Sequence, residues 1–464
     1  MKRNIKTKGV LCLALLLLIS LAAAAQPLTL EESITQAVSE GAAGRMLQGS
    51  LDLDAILVQE KGVPLETKLT AKGGANWGEK PFSIGSLEDR LSFNQQSLTL
   101  EIQHPVIWMS KALSAAQSSL DHEGDLAQLR WEQGLADLAY QVVEVYFGCL
   151  KAQRMGELAK EAVRVARWNM DVVQARFNVG TATIAEVLAA EADLKEARLQ
   201  ELQSQEGQKA AQMAFNVLLG RSLDEPVELV DPGAPSVAVP HPLEVLPLAK
   251  ANRPDLLRAQ AELALAELGE LAACEEGRPI LALVGQYQWE DGEIALSLNS
   301  RGLLGLSGTY NRQDSELVTN KEIDLDGSEG DSYLAGLQVQ WPLFDGGASK
   351  LKQEKAKEGV KLARLAVEQL ETQLELELNS LHLALERSGA RLELTRGRLD
   401  EMTERLRTTQ KLHEAQLATD FDVAQLELAV LGAESDVAVA LCDLHVAKAA
   451  YLKGVYGPSF LREM

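Results

Sequence analysis

The chain repeats itself, and this duplication restricts its possible folds more than any other feature. Leu-Glu-Ile-Gln-His-Pro-Val at 100–106 returns as Leu-Gln-Val-Gln-Trp-Pro-Leu at 337–343, with Pro105 and Pro342 237 residues apart. Ala182-Thr183-Ile184-Ala185-Glu186-Val187 returns as Ala418-Thr419-Asp420-Phe421-Asp422-Val423, 236 residues apart. Phe215 then matches Tyr451, and Gly220 matches Gly457. Register that drifts by one residue over three separate blocks marks two copies of one plan, not two or three unrelated globular domains.

Each copy has the same order of elements. A strand comes first: Leu98, Leu100 and Ile102 alternate with Ser97, Thr99, Glu101 and Gln103. Its counterpart alternates Tyr333, Ala335, Leu337, Val339 and Trp341 with Gly336, Gln338 and Gln340. Period 2 sends these two sets to opposite faces. A long helical pattern follows, about 110–178 and 348–415. Leu126, Leu129, Gln133, Ala136, Tyr140, Val143, Phe147 and Leu150 keep 3-4 spacing, as do Ala363, Val367, Leu370, Leu374, Leu378, Leu381 and Leu385. Such a sustained seam predicts coiled-coil packing, and some 65 residues at 1.5 Å each make a helix roughly 100 Å long. A short turn, Asn178–Thr183 or Gln416–Thr419, leads to a shorter returning helix, about 183–218 and 419–455.

Other segments fit around this plan. Leu30–Leu57 reads as helix and Leu65–Trp77 as strand. Pro226, Pro232, Pro235, Pro240, Pro242 and Pro247 fill a connector at 226–250, where their density predicts no regular helix. Asn252-Arg253-Pro254-Asp255 opens a helix reaching about Glu276, and Pro279 precedes a strand region, Ile280–Glu290. The stretch 293–331 is least regular: Ile294–Leu298 and Leu303–Tyr310 read as a further hairpin, and Asp324–Asp331 as a solvated loop. The domain plan is therefore a leader at 1–25, a first repeat at 26–225, the connector at 226–250, a second repeat at 251–457 and a tail at 458–464.

The leader has a basic start (Lys2, Arg3, Lys6, Lys8), an apolar run from Val10 to Leu21 and four alanines before Gln26. This pattern predicts a cleaved export signal, too short to span a bilayer. Without it the chain keeps 41 basic and 67 acidic side chains, a formal charge of −26. Phosphate binding needs a basic face, so nucleic acid is not an expected partner. Cys149, Cys274 and Cys442 are far apart and match neither a disulfide framework nor a zinc motif. No nucleophile elbow, P-loop, metal cluster or dinucleotide fingerprint occurs, so neither enzymatic activity nor a cofactor is expected.

Alternating strands of about ten residues in an exported protein suit an outer-membrane barrel. Four strands cannot close one, and lipid tolerates no open edge, so several chains must pool their strands. The alternative is a soluble hairpin cap on a coiled-coil rod, a structural spacer of the cell envelope that conducts nothing.

Four blocks in order resemble the TolC-type outer-membrane efflux family. They are Leu28-Thr29-Leu30-Glu31-Glu32-Ser33-Ile34, Arg176-Phe177-Asn178-Val179-Gly180-Thr181-Ala182-Thr183, Asn252-Arg253-Pro254-Asp255-Leu256, and Trp341-Pro342-Leu343-Phe344-Asp345-Gly346-Gly347. The resemblance implies a mainly α homotrimer: a long coiled-coil helical barrel, with four strands per protomer closed as a 12-stranded membrane barrel. It implies a duct of a tripartite efflux or type I secretion system, set in outer-membrane lipid with a large periplasmic part. Its partners would be a periplasmic adaptor and an inner-membrane pump of RND, ABC or MFS type. The adaptor-docking turns would be Asn178, Val179, Gly180, Thr181, Ala182, Thr183 and Gln416, Leu417, Ala418, Thr419. The channel mouth would carry Glu186, Asp420 and Asp422, whose like charges, ringed in a trimer, should raise their pKa values. The same acids also suit the first turn of a helix. The second turn departs from the family in lacking a glycine, and His413 stands where the first has Phe177.

Overall fold

The structure, a computed structural model, describes residues 27–84, 87–235, 240–275, 277–317 and 331–462. The expected leader at 1–25 and most of the Asp324–Asp331 loop lie outside them. The chain divides into two compact units. The first draws on Met1–Ser50, Arg130–Leu257 and Glu371–Met464, and the second on Leu51–Leu129 and Arg258–Leu370.

The elements in order are α1 (Leu30–Ser39), α2 (Ala42–Gly62), β1 (Lys68–Ile84), β2 (Leu87–Pro105), α3 (Lys111–Asn178) and α4 (Ile184–Leu219). Then come α5 (Pro242–Asn252), α6 (Pro254–Glu275), β3 (Ile280–Trp289), β4 (Gly292–Asn299), β5 (Leu303–Leu317), β6 (Ser332–Gln340), α7 (Ala348–Glu414) and α8 (Asp420–Tyr456). The two long helices, of 68 and 67 residues, and their returning partners start and stop within about two residues of the sequence reading. The predicted seam is inside: Leu126, Ala136, Val143, Phe147 and Leu150 are buried on α3, as are Leu374, Leu378 and Leu385 on α7.

The first unit packs around the duplicated aromatic position. Phe215 and Tyr451 are both fully buried. Their helices end alike, at Gly220 (φ 76°) and Gly457 (φ 55°), where a Cβ would lie 2.6 Å from a backbone oxygen. Tyr146 adds a polar tie, its hydroxyl donating to the carbonyls of Leu28 (3.0 Å) and Val230 (2.6 Å). Tyr451 donates likewise to Pro240 O at 2.6 Å. These bonds tie Leu28 and Val230 to α3 and Pro240 to α8.

Three features differ from the sequence reading. The N-terminal helix is broken at Glu40–Gly41, because Gly41 passes so close to α4 that a Cβ would lie 2.6 Å from Leu218 O. The Pro-rich connector does contain a helix, α5. Pro242 occupies its first turn, where no N–H partner is needed, so only Pro247 costs the helix a bond. Among the described residues the sheet has six antiparallel strands, in the order β1-β2-β5-β4-β3-β6, where the family resemblance implies four; the hairpin read at 294–298 and 303–310 is present as β4 and β5. β3, β4 and β5 form a meander, and β6 returns beside β3, which is a Greek-key arrangement.

Candidate functional site

Two regions carry the features that bear on function: the sheet and the two helix-hairpin tips.

The ladder sorts the sheet by face. One row runs Leu69–Ile102–Leu306–Leu296–Gly285–Ala335 across all six strands. The next runs Ala71–Leu100–Gly308–Ile294–Tyr287–Tyr333. On the other side lies His104–Leu304–Leu298–Leu283–Leu337. The opposite face carries Lys72–Thr99–Thr309–Glu293–Gln288–Ser332 and Thr70–Glu101–Ser307–Ala295–Gln286–Leu334. Lys72 and Glu101 pair there at 3.0 Å, and the Thr99 and Thr309 hydroxyls meet at 3.1 Å. The apolar face is bare: Leu337 is 77% exposed, Leu283 57% and Leu69 71%. An exposed apolar band of this width is costly in water and suited to lipid. No described helix is long and apolar enough to cross a membrane.

The helix tips are built alike. At the first, Gly180 takes φ 80°, Gly180 N–H donates to Phe177 O (2.9 Å) and Thr181 N–H to Arg176 O (2.9 Å). At the second, Gln416 takes φ 62°, with Gln416 N–H donating to His413 O (2.8 Å) and Leu417 N–H to Leu412 O (2.8 Å). Both are Schellman endings, and Gln416 supplies at some strain what Gly180 supplies freely. Thr183 and Thr419 then cap the returning helices. The Thr183 N–H donates to the Glu186 carboxylate at 2.6 Å and the Thr419 N–H to Asp422 at 2.8 Å, with the reciprocal bonds present in both. Both are capping boxes, Thr-x-x-Glu in one copy and Thr-x-x-Asp in the other.

These bonds set the electrostatics of the mouth acids within one chain. The backbone and hydroxyl bonds from Thr183 hold the Glu186 carboxyl below the usual range, and those from Thr419 do the same for Asp422. This direction is opposite to the one expected of a ring of like charges. Asp420 instead faces His413, with Oδ1 2.8 Å from Nε2. Asn178, Val179, Gly180, Thr181, Gln416 and Leu417 are exposed, and Ala182 and Ala418 are half-buried at equivalent positions. The tips adjoin through Trp168 and Phe421, whose ring centroids are 5.9 Å apart. A groove beside them is lined by Arg164, Gln410, His413, Asp420 and Glu427. Among the described residues, no group of His, Cys, Asp and Glu is arranged to hold a metal ion.

The model of the outer membrane efflux protein family matches residues 68–221 and 303–450. The chain belongs to this family. The efflux-family match covers β1, β2, α3 and α4 in the first repeat and β5, β6, α7 and α8 in the second, leaving β3 and β4 between the two matched stretches. Alkaline protease secretion protein AprF of Pseudomonas aeruginosa is 27% identical over 202 residues, 43% of this chain and 39% of AprF. Protein CyaE of Bordetella pertussis is 29% identical over 195 residues, 40% of this chain and 39% of CyaE. The match thus spans about two-fifths of the length of these curated relatives. The fold is similar to that of the outer membrane protein VceC of Vibrio cholerae, with TM-score 0.69 at 15% identity over 92% of this chain and 96% of that one.

Proposed function

We propose that this efflux-family chain is the outer-membrane duct of an efflux or type I secretion system, conducting cargo passively as a homotrimer. The observation that carries the reading is the two-faced sheet. Its apolar rows continue through all six strands, so one whole face suits lipid and the other a water-filled lumen. The nine residues of β6, Ser332–Gln340, span about 27 Å, or roughly 20 Å of height at barrel tilt, close to the apolar band of known barrels. A soluble cap on a rod gives no reason for such a face.

The helices support assembly with further copies. Leu351, Leu362, Leu365, Leu376, Leu383 and Leu394 of α7 are all exposed. At 100° per residue they fall within about 60° of one another around the helix, a narrow stripe suited to a neighbouring helix. In this reading the tips at Asn178–Thr183 and Gln416–Thr419 form the periplasmic mouth and receive the adaptor that links the duct to an inner-membrane pump. Glu186, Asp420 and Asp422 there bias passage toward cations. The role is conduction, with no catalytic step.

Membrane fractionation with native mass spectrometry tests the reading. A trimer in the outer-membrane fraction is expected, and Leu376→Asp with Leu383→Asp should yield monomer. A monomeric wild-type protein in the soluble fraction would overturn it.

A further inference from the structure

We infer that the membrane end of this protein is an 18-stranded barrel, wider than the 12-stranded barrel that the family resemblance implies. The inference rests on the trimeric duct reading and concerns what each chain brings to it.

Six strands per chain make an end-to-end closure geometrically consistent. Going from β1 to β6 along the sheet, neighbours alternate in direction at every step. β1 and β6 therefore run antiparallel to each other, and β1 of one chain can pair with β6 of the next in an all-antiparallel ring. Both edges carry the same facial sorting. Leu69, Ala71 and Trp77 on β1 lie on the lipid-facing side, as do Tyr333, Leu337 and Val339 on β6. An unpaired edge in hydrocarbon leaves several backbone groups unsatisfied, so closure through copies of the chain is obligatory there.

β3 and β4 lie outside the two family-matched stretches. They enter the sheet as one hairpin wedged between β5 and β6. Its two ends meet: Ser300 N–H donates to Leu281 O (2.6 Å), and Leu281 N–H donates to Ser300 Oγ (3.1 Å). A hairpin adds one strand in each direction, so it widens the sheet without breaking the alternation. The face pattern passes through it without a fault, since Leu296 sits between Leu306 and Gly285, and Ile294 between Gly308 and Tyr287. A hairpin folded against the outside or plugging the lumen would not need this register.

The consequence is a larger passage through the membrane. With strands about 4.8 Å apart and tilted about 40°, eighteen strands give a backbone radius of about 18 Å, against about 12 Å for twelve. The enclosed cross-section grows roughly 2.2-fold, so the barrel is not the narrow point of the duct.

Cryo-electron microscopy of the full-length protein in lipid nanodiscs tests this. Eighteen strands around a trimer, at a radius near 18 Å, are expected. A trimer with twelve strands and the 280–299 hairpin outside the barrel wall would overturn the inference while leaving the duct reading intact. A monomer in lipid would overturn both. Two variants give independent readouts. A Cys pair at Ala295 and Ser307, facing residues of β4 and β5 on the lumen side, should form an intrachain disulfide in the membrane-assembled protein, and a failure to cross-link contradicts the placement. Removing Ala282–Asn299 and joining Leu281 to Ser300 should give a trimer of twelve strands, and an unchanged barrel diameter contradicts the role assigned to the hairpin.

Discussion

A charge placed on each face of one strand separates a lipid-facing sheet from a soluble one. Leu283 lies in β3 and pairs with Leu298 and Leu337. Leu337 is midway between Tyr333 and Trp341, so this row sits near the centre of the proposed apolar band. Leu283→Arg should therefore cost about 2–4 kcal/mol of insertion free energy per chain, the usual penalty for Arg at the middle of a barrel wall. That lowers the equilibrium constant by about 30- to 1,000-fold. Gln286→Arg, three residues on, adds the same charge to the opposite face, beside Ala295 and Leu334. If that face lines water, the change should stay within about 0.5 kcal/mol. Urea-dependent folding into phospholipid vesicles, followed by tryptophan fluorescence and heat-modified gel mobility, measures both. Equal penalties, or a larger one for Gln286→Arg, would refute the assignment of faces.

Other outcomes follow from the tips and the core. Because the two turns are equivalent, Gln416→Gly should stabilise the protein and Gly180→Ala should destabilise it, by about 1 kcal/mol each in thermal unfolding. Glu186 and Asp422 have lowered folded-state pKa values, so their capping contribution is complete above the unfolded values near 4. It is lost as pH falls through the still lower folded values. Hydrogen exchange at the tips, corrected for intrinsic rates, should speed up below about pH 4, and Glu186→Gln with Asp422→Asn should remove that pH dependence. The same pair combined with Asp420→Asn should weaken cation preference, and unchanged reversal potentials in a salt gradient would refute the mouth assignment. Tyr146→Phe removes the hydroxyl that reaches Leu28 O and Val230 O, and should cost about 1–2 kcal/mol in the same unfolding assay.

The long helices were legible because 3-4 spacing persisted from Leu126 to Leu150 and from Ala363 to Leu385, and the turns because Ala182–Val187 returns as Ala418–Val423. The strands were located but not fully measured. β2 begins at Leu87, yet above Leu98 its lipid-side positions become Gln96 and Asn94, so the alternation that reveals a strand stops while the ladder continues. Pairing was less accessible still. The strand region at 280–290 and the hairpin at 294–298 and 303–310 were read as separate pieces, and both are present as β3, β4 and β5, but no local pattern shows that they join β2 and β6 in one sheet. The break at Gly41 depends on contact with Leu218, far away in sequence. The first-turn positions of Glu186 and Asp422 were readable, whereas their bonding to Thr183 and Thr419 required the backbone geometry.

As a duct, this protein must let water and solutes pass through it. Planar-bilayer recording of the purified full-length trimer tests it most directly. Discrete, stepwise conductance with a cation-selective reversal potential is expected. Trimers that reconstitute into the bilayer yet carry no current across the voltage and pH range would contradict it.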